Sequence, residues 1–192
     1  DAYGGAGLAH GATIMPLRVL DGTGAGTDAN VAAAIRPAVS NGADVINLSL
    51  GGPAGSSVLA NAVQEAAAAG VVVVASSGND GTSAPNFPAA YPSVVSVGAV
   101  DQAFERPSFS SYGPTLDLVA PGTSIVQQSF TAGGWCLCAR TGTSFAAPLV
   151  SAAAALLLDD GVDPSEVRGL LGGTARDLGT PGRDDDTGAG LL

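Results

Sequence analysis

Short apolar runs alternate along this chain with longer segments whose apolar residues recur at helical spacing. Five runs predict β-strands, at residues 13–20, 44–50, 71–75, 94–100 and 116–120. The run at 71–75 consists of valines and a final alanine, which is typical of a strand buried on both faces of a parallel sheet. Strands of this kind need helices above and below them.

The helical spacing predicts those helices at residues 28–40, 56–69, 144–158 and 164–171. Gly42 and Gly70 stand where the first two would end, Ser56 or Ser57 can cap the second, and Pro164 occupies the first position of the last. Interleaved strands and helices predict an α/β fold in three layers, a mostly parallel sheet covered by helices on both faces. We expect one domain over residues 1–192, with a polar surface loop at 180–187.

Residues 124–140 break this alternation and predict a β-hairpin that turns around Gly133 and Gly134. Cys136 and Cys138 lie on its second strand, where their side chains share one face. We expect a bridge across so short a loop to be strained, and no histidine lies near in sequence to complete a metal site. The sequence therefore favours cysteines with no metal-binding role.

The net charge of the chain narrows the classes of molecule that it is expected to bind. The chain has 17 carboxylates against 7 arginines and no lysine, for a net charge of −10. Such a balance argues against binding to nucleic acid and to anionic membrane surfaces. The longest apolar run, at 152–158, is far shorter than the roughly 18 residues that span a bilayer.

Candidate chemistry lies at the ends of the predicted strands and at the start of the longest helix. Gly142-Thr143-Ser144 precedes that helix, so Ser144 stands at the positive end of its dipole. This pattern alone is also that of an ordinary helix cap. Asn79 follows the buried strand at 71–75, at the edge of the sheet where α/β proteins bind ligands.

Three segments together resemble the subtilase family of serine peptidases: residues 44–52, residues 71–80 and the stretch Gly142-Thr143-Ser144-Phe145-Ala146-Ala147-Pro148. The resemblance implies that Ser144 is the nucleophile and that Asn79 donates a hydrogen bond to the oxyanion. It implies a substrate-binding role for Ser49, Leu50 and Gly51 on the acyl side of the scissile bond. The opposite wall of the specificity pocket would be Ser76, Ser77 and Gly78, with Asn86 near its floor.

The resemblance also implies structural cation sites, although the chemistry requires no cofactor. The carbonyls of Ala89, Tyr91 and Val94 with Asp117 resemble a weak site for Ca²⁺ or a monovalent cation. Residues 1–5 resemble the end of a stronger calcium loop. Surface turns explain these residues equally well.

The catalytic aspartate and histidine of the family precede the part that this chain matches, so we expect a subtilase domain incomplete at its N-terminus. The only histidine is His10, at a place the family does not use for catalysis, and we expect a structural or surface role for it. Truncation would expose a sheet edge and favour a homo-oligomer or a complementing N-terminal segment.

The expected function is hydrolysis of peptides or esters through a Ser144 acyl-enzyme, weak in the isolated chain. The alternative is a non-catalytic peptide-binding or assembly fragment. The family resemblance implies an extracellular location.

Overall fold

The computed structural model describes residues 7–131 and 134–192. Its elements follow the predicted order: α1 (Asp28–Ser40), β1 (Val45–Leu48), α2 (Ser57–Ala68), β2 (Val72–Ser76), β3 (Val94–Val100), β4 (Leu118–Pro121), β5 (Ile125–Thr131), β6 (Gly134–Arg140), α3 (Thr143–Asp159) and α4 (Pro164–Thr174).

Strands β1 to β4 form one parallel sheet in chain order. On one face, Val31 and Leu59 of α1 and α2 pack with Ile46 and Val73 of the sheet. On the other face α3 and α4 cover the sheet, and Val150 is fully buried there. The predicted α/β fold with helices on both faces is confirmed.

Side chains at the helix starts explain where the helices begin. Thr27 accepts a hydrogen bond from the Asn30 amide, and Ser56 accepts one from the Leu59 amide, so Ser56 rather than Ser57 caps α2. Asp163 caps α4, and hydrogen bonds from the Ser165 hydroxyl and amide lower the pKa of its carboxyl.

The two edges of the sheet differ. The C-terminal tail covers the edge at β4, because the Val119 amide donates to the carbonyl of Gly190 and the Leu192 amide donates to the carbonyl of Val119. At the other edge is β1, and in the part of the chain that the structure describes no strand pairs with its outer side. The backbone groups along that side of β1 are therefore open to an additional strand.

The predicted strand at 13–20 is wrong for this chain. Residues 12–19 have no regular secondary structure and residues 11–18 are exposed, with Ile14 80% accessible. A strand needs backbone hydrogen bonds from a neighbour, and within residues 7–131 and 134–192 no strand pairs with this segment. Apolar sequence alone does not hold it in a sheet.

The hairpin is confirmed, with β5 and β6 antiparallel and Phe130 opposite Trp135. Gly133, one of the two predicted turn residues, lies outside the described residues. Cys136 and Cys138 form a disulfide despite the short loop between them, a pairing that the sequence left open. The pleat places both side chains on one face, and their Cα atoms are 5.5 Å apart, within the usual range for a bridge.

The contact of the tail with β4 provides a test of this packing. Gly188 has a φ of 64°, and a Cβ there would lie 2.3 Å from the Asp117 carbonyl oxygen, whereas Gly24 has a φ of 82° with nothing within 4 Å. Gly24→Ala should cost about 1 kcal/mol for its backbone conformation. Gly188→Ala should cost at least about 2 kcal/mol more, because backbone must move. Urea unfolding measures both variants, and equal losses would contradict the packing.

Candidate functional site

The carboxyl ends of β1 and β2 meet the start of α3 at one edge of the sheet. Strand β1 leads into Ser49, Leu50 and Gly51, and β2 leads into Ser77, Gly78 and Asn79. Parallel strands place all such ends on the same side, which is where open α/β sheets bind their ligands. Hydrogen bonds among these segments then fix the geometry of the site.

Gly142 forms the sharp turn into α3. Its φ is 148°, a conformation that side chains rarely adopt, and its amide donates to the Gly122 carbonyl at 2.8 Å. Helix α3 starts at Thr143, so the half-buried Ser144 lies in its first turn. The amides of this turn have no partner inside the helix, and the helix dipole favours negative charge there.

Asn79 is held by the residue next to Ser144. Its side-chain oxygen accepts a hydrogen bond from the Thr143 amide at 2.9 Å and another from the Thr143 hydroxyl at 3.0 Å. The Thr143 side chain is fully buried, so the Thr143 end of this contact is held in place by the surrounding packing. Because the oxygen is engaged, the NH₂ group is the end of the Asn79 amide that can donate to a ligand.

The hydroxyl of Ser144 lies beside β1 and away from any basic side chain among the described residues that it could bond to. Its Oγ is 3.5 Å from the Ser49 carbonyl, and the Ser49 hydroxyl donates to the Ser144 carbonyl at 2.8 Å. A backbone carbonyl cannot act as a general base. His10, the sole histidine, is exposed in the turn at residues 8–11, consistent with the surface role expected for it.

Asn86 lies between the two predicted walls of the specificity pocket. A Cβ on Gly51 would be 2.4 Å from the Asn86 side-chain nitrogen, and a Cβ on Gly78 would be 3.3 Å from its amide carbon. The same nitrogen donates to the Ser76 carbonyl at 3.3 Å. Both glycines are therefore needed for the Asn86 amide to fit, and Ser76, Gly78 and Gly51 are brought together around it as predicted.

Ser77 is buried and Leu50 is half-buried on the same two walls of the predicted pocket. The Ser77 hydroxyl donates to the Ser111 carbonyl at 3.0 Å, which ties this wall to the loop before β4. Leu50 is half-buried and packs against the core between the sheet and α1 and α2.

The predicted cation site includes a carboxylate that already has partners. Asp117 is buried and accepts hydrogen bonds from the Ser96 amide at 2.8 Å and from the Arg168 guanidinium at 2.8 and 2.9 Å. Within residues 7–131 and 134–192 no group of three or more His, Cys, Asp or Glu side chains is arranged to hold a metal.

The site at Ala89, Tyr91, Val94 and Asp117 therefore stays a prediction. The calcium-loop resemblance at 1–5 lies outside the described residues.

Thr143 was not singled out from the sequence as a functional residue. Hydroxyl residues are common at helix starts, so nothing local distinguishes Thr143 from an ordinary cap. Its contact with Asn79 joins positions 64 residues apart, which no local pattern reports.

The comparisons with known proteins agree with this geometry. The family model described as "Subtilase family" matches residues 1–190. Subtilisin NAT of Bacillus subtilis subsp. natto is 44% identical over 185 residues, which cover 93% of this chain and 48% of that protein. A subtilisin of Bacillus pumilus is 44% identical, over 94% of this chain and 66% of its own length.

A solved structure of proteases from Pseudoalteromonas arctica superposes with a TM-score of 0.87 at 31% identity, covering 97% of this chain and 62% of that one. The chain thus spans about half of one of these relatives and about two thirds of the other two. The match over nearly the whole chain, together with a glycine turn and an asparagine amide held at the start of α3, shows that this protein belongs to the subtilase family.

Proposed function

We propose that this chain carries the nucleophile, the oxyanion donors and the substrate-binding strands of a subtilisin-type serine hydrolase. The observation that supports this most is the bond from the Thr143 amide to the Asn79 oxygen, because it leaves the Asn79 NH₂ group beside the start of α3. That NH₂ group and the Ser144 amide are two donors of the kind that stabilise an acyl oxyanion.

In the proposed reaction the Ser144 oxygen attacks the carbonyl carbon of a peptide or ester, and its proton passes to a general base. The carbonyl oxygen becomes negative and is stabilised by Asn79 and the Ser144 amide. Loss of the amine or alcohol leaves an acyl-enzyme on Ser144, which water then hydrolyses. Residues 49–51 would pair with the backbone of the acyl part of the substrate, and the pocket around Asn86 would take its side chain.

The base is the part that this chain does not supply. Its one histidine is exposed at position 10, and the Ser144 hydroxyl lies beside a backbone carbonyl. We therefore assign the base and its orienting acid to a segment preceding these residues or to another chain. Without them a site of this kind retains about 10³- to 10⁴-fold acceleration over water, a value that comes from subtilisin itself. Activated esters, whose leaving groups need no acid, are the substrates best suited to the chain alone.

The open edge of β1 is where the complementing segment would add. Residues 12–19 are irregular here and residues 12–18 are exposed, although their sequence favours a strand, and Ile14 and Leu17 are 80% and 43% accessible. An added strand would give both the β1 edge and this segment a neighbour. The preferred occupant is an N-terminal subtilase segment, with a second copy of the chain as the other candidate.

A second function is favoured by one observation. Since the acceptor of the Ser144 hydroxyl among residues 7–131 and 134–192 is a backbone carbonyl, the groove could bind peptides without cleaving them. Either function fits a location outside the cell, because a disulfide joins Cys136 and Cys138 and such bridges persist in oxidising compartments. No helix within residues 7–131 and 134–192 is long and apolar enough to cross a membrane.

Labelling by a fluorophosphonate in the presence of an added N-terminal subtilase segment, which would supply the base, followed by intact mass, tests the hydrolase. We expect one label per chain, lost in Ser144→Ala and retained in Ser57→Ala, a control at an exposed position in α2. Asn79→Ala should slow labelling by about 10²- to 10³-fold, the size that removal of one oxyanion donor has in subtilisin itself. Absence of any label, with retained affinity for a peptide that Gly51→Ala abolishes, would favour the binding function.

Light scattering after size exclusion tests the open edge. We expect assemblies larger than a monomer, which Ile14→Lys weakens because it places a charge on the segment that gains a neighbour. Val58→Lys is the matched control, since Val58 is also exposed, at 47%, but lies on α2. The proposal would be refuted by a chain that is a folded monomer at all concentrations and does not bind an added N-terminal subtilase segment.

A further inference from the structure

Pro148 leaves the carbonyl of Ser144 without its normal partner in α3. In an α-helix each carbonyl accepts a hydrogen bond from the amide four residues later, and four residues after Ser144 is a proline, which has no N–H. The missing donor is replaced from another element, because the Ser49 hydroxyl donates to the Ser144 carbonyl at 2.8 Å. The turn that carries Ser144 is thereby tied to the end of β1.

Asn47 supports Ser49 in this contact. Along β1, Ile46 and Leu48 are buried against α1 and α2, so Asn47 lies on the opposite face of the sheet, towards α3. Its side-chain nitrogen donates to the Ser49 hydroxyl oxygen at 2.9 Å. A serine hydroxyl has one proton, and while it receives the Asn47 hydrogen bond that proton is directed to the Ser144 carbonyl.

Ser151 lies beside the side-chain oxygen of Asn47. The Ser151 hydroxyl lies 3.0 Å from the Asn47 side-chain oxygen, and it also reaches the Ala147 carbonyl at 3.1 Å. If the amide were reversed, its oxygen would take the Ser49 proton and the Ser144 carbonyl would lose its donor. Because Pro148 offers the Ser144 carbonyl no donor, that carbonyl needs the Ser49 proton, and this need sets the direction from Asn47 to Ser49 and to Ser144.

We propose that Asn47 is a positioning residue for Ser144, acting through Ser49. This rests on the proposed function of Ser144 as a nucleophile. Hydrogen bonds that all donate in one direction strengthen one another, and this set links the middle of α3 to its first turn by way of β1. It holds the nucleophile at a fixed separation from the substrate-binding residues 49–51.

The deciding variant is Asn47→Asp, which keeps the shape of the side chain and its acceptor for Ser151. A carboxylate cannot donate to Ser49 and instead accepts its proton, which removes the donor from the Ser144 carbonyl. Loss of one hydrogen bond should slow fluorophosphonate labelling of Ser144 by about tenfold. Asn47→Ala should slow it less, and Ser151→Ala least. Asn61→Asp adds the same charge at an exposed position on α2 and should leave the rate unchanged.

The carbonyl carbon of Ser144 gives a second readout that needs no activity. With ¹³C-carbonyl serine and ¹⁵N phenylalanine, only the three Ser-Phe pairs of the sequence give signals, and Ser144→Ala identifies the relevant one. That signal should move to lower chemical shift in Asn47→Asp and in Ser49→Ala, and stay in place in Asn61→Asp. Urea unfolding of each variant separates positioning from a general loss of stability.

The outcomes separate this inference from the proposed function. If the parent chain is not labelled, the hydrolase proposal fails while the carbonyl signal still decides the role of Asn47. If the parent is labelled but Asn47→Asp changes neither the rate nor the signal, the positioning role is wrong. Should Asn47→Asp fail to fold, Asn47→Ala carries the same test, and an unmoved signal there overturns the inference.

Discussion

The hydrogen bond from the Thr143 amide to the Asn79 side-chain oxygen joins the end of β2 to the start of α3. The geometry of the site depends on it in two ways. It satisfies one of the amides that a helix start leaves without a partner, and it fixes the orientation of the Asn79 amide so that its NH₂ group is free to donate. Gly142 makes the contact possible, since its backbone conformation turns the chain into the helix within one residue.

The two edges of the sheet separate the part of the proposed site that this chain holds from the part that we assign to another segment. The tail closes the edge at β4 through backbone hydrogen bonds at Val119. Just before β4, the carboxylate of Asp117 is paired with the guanidinium of Arg168. The edge at β1 has no partner strand among the described residues, and it carries Asn47 and leads directly to Ser49. The proposed base would enter at this incomplete side.

The sequence predicted the sheet and its covering helices where its signals are local. Valine runs mark β2, Pro164 stands at the first position of α4 as predicted, and the segment at 142–148 carries the family resemblance. Residues 13–20 were wrongly predicted as a strand because a strand also needs a neighbour.

The roles of Thr143 and Asn47 were not predicted because each depends on a contact between distant positions. For the role of Asn47, Pro148 was the one local signal, because a proline four residues after Ser144 leaves the Ser144 carbonyl without a donor in the helix.

The central claim is that Ser144 and Asn79 form a nucleophile and its oxyanion site. A crystal structure of the chain with an added N-terminal subtilase segment, after reaction with a fluorophosphonate, tests this most directly. The account predicts phosphorus bonded to the Ser144 oxygen, with the phosphoryl oxygen at about 2.7–3.1 Å from both the Asn79 side-chain nitrogen and the Ser144 amide. A phosphoryl oxygen directed to solvent, or an adduct on a different residue, would contradict it.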